Sequence, residues 1–201
     1  MGRVTDDVFT VDSLRGVALA QGWSYRENDQ GFADRWGGPP FDTWSGSKRA
    51  ADVVSGEYRE RPVAAFCLLT GDENFLVMAT SLPGRLPRFA LAPPVGAVDP
   101  GPFGYGFEAE DPDLAQRYEV YAADADLAAA VLHVEAVAVL RKHRSMDWRI
   151  EGRDLLAIER LDREVSEEEL LNTLDALVTI AAGIPAGLFD RYPTPTPYPA
   201  V

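Results

Sequence analysis

The sequence predicts an α+β fold: a mainly antiparallel, twisted sheet with two longer helices and one short N-terminal helix packed against it. Three observations carry this. Apolar and β-branched residues run through 53–70 and 75–82 as strand-like segments. The connections between them are too short for anything but antiparallel neighbours. Helical periodicity with capping residues recurs near 127–143 and 167–182.

The elements follow in order. Asp12 or Ser13 can cap a short helix carrying Leu14, Val17 and Ala18, which Gly22 ends. Trp23 then opens a strand in which Trp23 and Tyr25 alternate with Ser24 and Arg26. RWGGPPFDTWSGS, residues 35–47, can be neither helix nor central strand because of its Gly-Gly-Pro-Pro run, so it is a loop bearing Trp36, Phe41 and Trp44. Val53–Arg59 and Pro62–Thr70 make a hairpin with a tight turn near Glu60 and Arg61. A third strand, Phe75–Leu82, completes a meander across Gly71-Asp72-Glu73-Asn74. Leu82-Pro83-Gly84-Arg85 places Pro and Gly at the central positions of a type II turn, which sends a fourth strand through Arg88, Phe89, Ala90 and Leu91.

PPVGAVDPGPFGYGF, residues 93–107, is too rich in Pro and Gly for regular structure and reads as a long surface loop with Phe103 and Tyr105 on it. Strand periodicity resumes over Arg117–Tyr121. Asp124 or Asp126 can cap the next helix, whose Leu127, Val131, Val134 and Ala138 share a face, while Arg141, Lys142, His143 and Arg144 complement the dipole at its C-terminal end. DWRIEGRDLLAIER reads as a second hairpin with Gly152 at the first central position of a type II′ turn. The last helix has Ser166 as N-cap, Glu169 completing a capping box, Val165 placed to staple on Leu170, and Gly183 with Pro185 at its end. Residues 1–190 are expected to form one domain. Residues 191–201 form a proline-rich tail, with Pro193, Pro195, Pro197 and Pro199 favouring an extended polyproline form.

Composition removes several function classes. A chain of 201 residues with 46% hydrophobic and 25% charged residues can bury a sizeable core without staples. The net charge of -13 repels phosphate backbones and no Lys/Arg stripe reverses it locally, so neither nucleic acid nor an anionic membrane is an expected partner. The same charge suits a protein that covers a basic partner surface. Cys67 is the single cysteine and sits in an apolar run, which reads as a small buried hydrophobe and fits a reducing compartment. The N-terminal MGRVTDDVFTVDSL lacks the apolar run of a signal peptide, and no apolar stretch reaches membrane-spanning length; a cytoplasmic protein is expected.

Chemistry-bearing patterns are weak. The histidines are His133, expected within the central helix with Ala129, Ala130, Ala136 and Val137 around it, and His143, in the basic helix end. His133-Val134-Glu135 matches half of the zinc-deaminase pattern, but its P-C-x-x-C partner cannot exist with one cysteine. The acidic run 108–113 lacks calcium-loop spacing, and Gly101, Gly104 and Gly106 stand in the reverse of the dinucleotide order. No catalytic, cofactor-binding or metal residue is therefore singled out. The surface candidates are aromatic: Trp36, Phe41 and Trp44 in one Pro/Gly loop, Phe103 and Tyr105 in the other, as partner-binding anchors. The rival reading is that these rings fold back to cap the sheet.

QGWSY, RAADVVSGEYRERPVAAF, RLPRF, RYEVYAAD and DWRIEGRDLL together resemble an uncharacterised actinobacterial family of small soluble proteins, over residues 14 to 190. The resemblance implies a shape rather than a reaction. It also implies glycine in the hairpin turn where this chain has Glu60, so a turn requiring positive φ would be strained. The expected function is non-catalytic: an acidic adaptor, chaperone-like or immunity-type protein engaging another protein. Two alternatives stand beside it. A carboxylate-dependent enzyme without metal or nucleotide requires a deep pocket holding two buried acids of raised pKa. A small-ligand carrier would use the concave face of the sheet.

Overall fold

A computed structural model describes residues 12–42, 48–70, 73–94, 105–143 and 146–192. Seven helices and a seven-stranded antiparallel sheet are found among them, so the fold is α+β as predicted. The first helix, α1 (Asp12–Gln21), ends where Gly22 adopts φ 67°. Strand β1 (Ser24–Asn28) pairs with β2 (Arg49–Tyr58), β2 with β3 (Arg61–Leu69), and β3 with β4 (Asn74–Ala92). The β2–β3 turn consists of Arg59 (φ 48°) and Glu60 (φ 62°), both left-handed. A non-glycine residue pays about 1–2 kcal/mol for that conformation, so the strain anticipated at Glu60 is present and Arg59 shares it. Arg59 is also tied to helix α6 (Glu167–Gly183) through Asp175 at 2.6 Å.

Two predicted turns are not turns. Leu82-Pro83-Gly84-Arg85 lies inside β4, and Gly152 lies inside one long strand, β7 (Asp147–Arg160). The two strands pair along their length, and both irregularities fall at one place. From Ser81–Asp154 to Leu86–Gly152, β4 advances five residues while β7 advances two. The surplus bulges out instead of reversing the chain, because β7 supplies a continuous paired edge. Gly84 does not have the positive φ that a type II turn demands. It is small for another reason: a Cβ there would stand 2.9 Å from Phe189 of helix α7 (Ala186–Arg191). Gly152 does take φ 64°, and uses it to bend the strand.

The bend reorganises the sheet. Before it, β4 pairs with β3; after it, the same edge pairs with β6 (Glu119–Ala122), which in turn pairs with β5 (Tyr105–Phe107). Strand β7 occupies the opposite edge throughout, since Phe75 pairs with both Leu68 and Arg160 and Phe89 with both Ala122 and Ile150. Parity changes across Gly152 as well: Trp148 and Ile150 join the helix-side core, and so do Leu155 and Ala157.

The helices cover one face. Leu14 and Val17 of α1, Leu114 of α3 (Pro112–Arg117), Leu127 and Val131 of α4 (Ala125–Val131), Leu140 of α5 (Val134–Leu140) and Leu170, Leu174 and Leu177 of α6 (Glu167–Gly183) pack with Leu76, Met78, Leu91 and Trp148 of the sheet. Helix α6 starts as predicted, with both halves of the Ser166–Glu169 capping box formed and Val165 and Leu170 both buried. Cys67 is buried on this side, and burial pushes its thiol up to about 12.

The opposite face is covered by α2 (Gln30–Ala33) and the segment that follows it. Trp36 stacks on Phe66 with ring centroids 5.9 Å apart, and Phe32 and Phe41 close around them. Polar groups fasten this plate to β7 beside the bend. Trp36 Nε1 donates to Asp154 at 3.0 Å, and Arg35 donates to both carboxylate oxygens of Asp154. Arg149, 2% exposed, donates to the Pro39 carbonyl at 2.6 Å and lies over the Phe41 ring. Burial lowers its pKa to about 10, which still leaves it charged at neutral pH.

At the C-terminus the described residues run past 190, where the proline-rich tail was expected to begin. Helix α7 reaches Arg191, which pairs with Asp126, and Tyr192 donates to Asp124 at 2.6 Å. Residues 193–201 lie outside the described residues.

Candidate partner-binding groove

Of the aromatic candidates, Trp36 and Phe41 point inward, 5% and 2% exposed, as the plate on the second face. Trp44 and Phe103 lie outside the described residues. Tyr105 is 72% exposed on β5, at the end of the sheet order. That edge borders a groove of about 640 Å³, whose walls are β5 with the 108–111 link and α3 on one side and α4 with α5 on the other.

Local chemistry builds each wall. Asp111 caps α3 by accepting from Leu114 N–H at 3.1 Å, with Pro112 in the first helical turn, so the acidic link runs into a helix that takes in Arg117, where strand periodicity was expected to resume. Asp124 caps α4 by accepting from Leu127 N–H at 2.8 Å, and the Tyr192 hydroxyl on the same carboxylate helps hold its pKa below the usual range. The single helix expected over 127–143 is two, because His133 interrupts it. Its Nδ1 accepts from Ala136 N–H at 3.3 Å and caps α5, while its Nε2 lies 3.1 Å from the Ile180 carbonyl of α6, which only accepts, so Nε2 carries the proton there. The ring rests on Gly183, where a Cβ would come within 2.1 Å of it. The exposed Glu135 carboxylate stands 3.0 Å from Nδ1 and competes with Ala136 N–H for it, since one nitrogen cannot accept from the one and donate to the other. The histidine thus has an acid beside it, but its place is a helix junction.

The break turns the second half of the predicted helix. Val134, expected on the packed face, is 80% exposed, and Ala138 is exposed with it. Leu132, Val137, Ala125 and Ala129 complete the apolar lining on that side, and Phe107, Leu114 and Val120 form the other. Glu108 and Glu110 stand on the rim. Arg141 pairs with Asp111 and Asp113, and this partner holds the Asp111 carboxyl below its ordinary range. The basic helix end is thus used laterally, and the carbonyls of Leu140, Arg141 and His143 are capped by Arg117 of α3.

Two further cavities bear on acid–base chemistry. One of about 510 Å³ between α5, β7 and α6 is lined by His143, Glu159, Glu169 and Asp175. Burial and the neighbouring acids raise Glu159 to about 7, whereas Arg163 and the capping box lower Glu169 to about 2. Burial, with Arg117 adding to it, lowers His143, whose ring stands edge-on to Trp148. The other carboxyl pushed up to about 7 is Asp147, again by burial. It sits at the far end of β7, twelve residues from Glu159 and roughly 40 Å along an extended strand. Alternation from Trp148 and Ala157 puts the two on opposite faces; Glu151, also raised by burial, shares Asp147's face four residues along, with Arg149 between them, and accepts from Arg88 at 3.0 Å. Glu169 is committed to Ser166 and Arg163, which gives its shift a structural cause. A third cavity, about 350 Å³ on the second face, is lined by Ser55, Ala64, Ala79 and Asp154, and Asp154 is engaged by the aromatic plate. Among the described residues no group of three or more His, Cys, Asp or Glu is arranged to hold a metal ion, and no helix is long and apolar enough to cross a membrane.

No family model and no curated protein matches the sequence. A solved structure does share the architecture. The crystal structure of the mycobacterial trehalose monomycolate transport factor A, TtfA, superposes with a TM-score of 0.62 at 16% identity, covering 94% of this chain and 98% of that one. At that identity the likeness is one of fold.

Proposed function

We propose that this is a non-catalytic binding protein that engages another protein through the groove between β5–α3 and α4–α5. The observation that carries the reading is an apolar groove of about 640 Å³ with Val134 and Tyr105 exposed near it. Interfaces are anchored by apolar groups in concave sites with a polar rim, and the rim here is acidic, as suits a partner with a basic surface. An adaptor or chaperone-like role follows from binding without chemistry.

A second reading is favoured by the same cavity. Its volume lies within the range of small-molecule sites, and the solved structure of like fold is called a transport factor. A carrier would place a small apolar ligand there. A photo-crosslinking side chain installed at Val134 separates the two readings. Adducts of protein mass formed in native extract, and lost when Ala129→Trp fills the groove, support the partner reading. Adducts of small-molecule mass transfer support to the carrier, and the absence of any groove-dependent adduct removes both.

A further inference from the structure

Resting on the reading of this groove as a protein-binding surface, we infer that the segment it accepts is a cationic amphipathic helix of the partner. Three features of the site select that occupant. The α4 wall offers Ala125 and Ala129 and the α5 wall Val134 and Ala138, each pair one helical turn apart and exposed. Side chains this short let a third helix approach at the usual interaxial distance of about 8–10 Å and insert its own larger residues between the walls. A strand is the poorer fit, because the neighbouring edge, β5, is only three residues long and centred on Gly106.

The rim then chooses the sign of charge. Arg141 is the sole basic residue lining the groove among the described residues, and it is engaged by Asp111 and Asp113. Glu108 and Glu110 are exposed on the same rim and take part in no ion pair among the described residues. A helix with leucine-like residues on one face and Lys or Arg flanking them satisfies both the apolar lining and those carboxylates. A fatty-acid head group would face them as a like charge, and an uncharged alkyl chain would leave them unanswered. Complementary charge of this kind sets orientation and encounter rate as well as affinity.

Fluorescence anisotropy with three labelled helical peptides tests this on the purified full chain. All three carry the same leucine face, and their polar positions are all lysine, all glutamine or all glutamate. The expected order of affinity is lysine over glutamine over glutamate, with lysine-peptide binding weakened by salt. Glu108→Gln with Glu110→Gln should weaken the lysine peptide by roughly threefold to tenfold and leave the glutamine peptide unchanged. Ala129→Trp and, independently, Ala138→Trp should abolish binding of all three while the thermal midpoint stays put; both sites are exposed, so the fold tolerates them. Equal affinities for the three peptides would overturn the charge assignment and leave the groove as a docking site. Binding that survives both tryptophan variants would show the peptide elsewhere, and the inference and the reading beneath it would fall together. A dodecyl-chain probe that binds where no peptide does would replace the helix with a small ligand.

Discussion

The two faces of the sheet hold apolar side chains in opposite ways. On the second face Trp36, Phe41 and Phe66 form a closed plate whose polar atoms are engaged: Trp36 Nε1 on Asp154, the Pro39 carbonyl under Arg149. On the helix side, next to β5, alanines and Val134 line a groove that no described segment fills, with Glu108 and Glu110 on its rim. Trp36 and Phe41 of the Pro/Gly loop are thus scaffold here, and the candidate for binding is built from residues that look like ordinary helix filler. Large rings are costly to leave in water, whereas alanines can be exposed at little cost and still shape a concave wall.

Substitutions on the two sides should separate these roles. Trp36→Ala has the largest expected effect, a loss of about 3–5 kcal/mol in denaturant unfolding, since it removes a stacked ring and a buried donor to Asp154. If stability barely changes and partner crosslinking disappears, the comparison is inverted. Asp147 probes the buried charges beside the plate. Its carboxyl is raised from 3.8 to about 7 by burial, so the folded state favours the protonated acid. Its stability contribution is complete below about pH 4 and is lost as the pH rises through about 7. Asp147→Asn should flatten that part of the profile, and at about pH 8 should be more stable than the parent by on the order of 2–4 kcal/mol. Calorimetry across the window checks both the sign and the span.

On the groove side, Gly183→Ala should cost about 1–3 kcal/mol, because the added methyl meets the His133 ring that joins α5 to α6. A lowered thermal midpoint together with weakened peptide binding would tie the groove's shape to that junction. The smallest change is expected for Ala129→Trp, within about 0.5 kcal/mol of the parent, since the site is exposed. A large loss there would mean that the groove is part of the core, which would remove the difference between the faces.

The signals that were legible in the sequence are those completed within a few residues. The Ser166–Glu169 box, the Asp124 cap and the Gly22 stop each bring together groups less than one turn apart, and all three are in place. The His133 junction was hidden because imidazole is an unusual cap and its other nitrogen answers to Ile180, far away in the chain. The exposure of Val134 followed from that break and was therefore missed too. Pro83-Gly84 and Gly152 do bear the residues of turns. Whether such residues reverse a chain or bulge within it depends on whether a neighbouring strand is there to pair.

From its order of residues alone this protein has its α+β class, its helix caps, its strand alternation and its charge, because propensity, capping and periodicity act along the chain. Tertiary structure decided where β4 and β7 bend together, which aromatic rings turn inward, and which helix faces are left uncovered. Those outcomes depend on backbone pairing and burial between residues far apart in sequence, a balance that no single segment carries by itself.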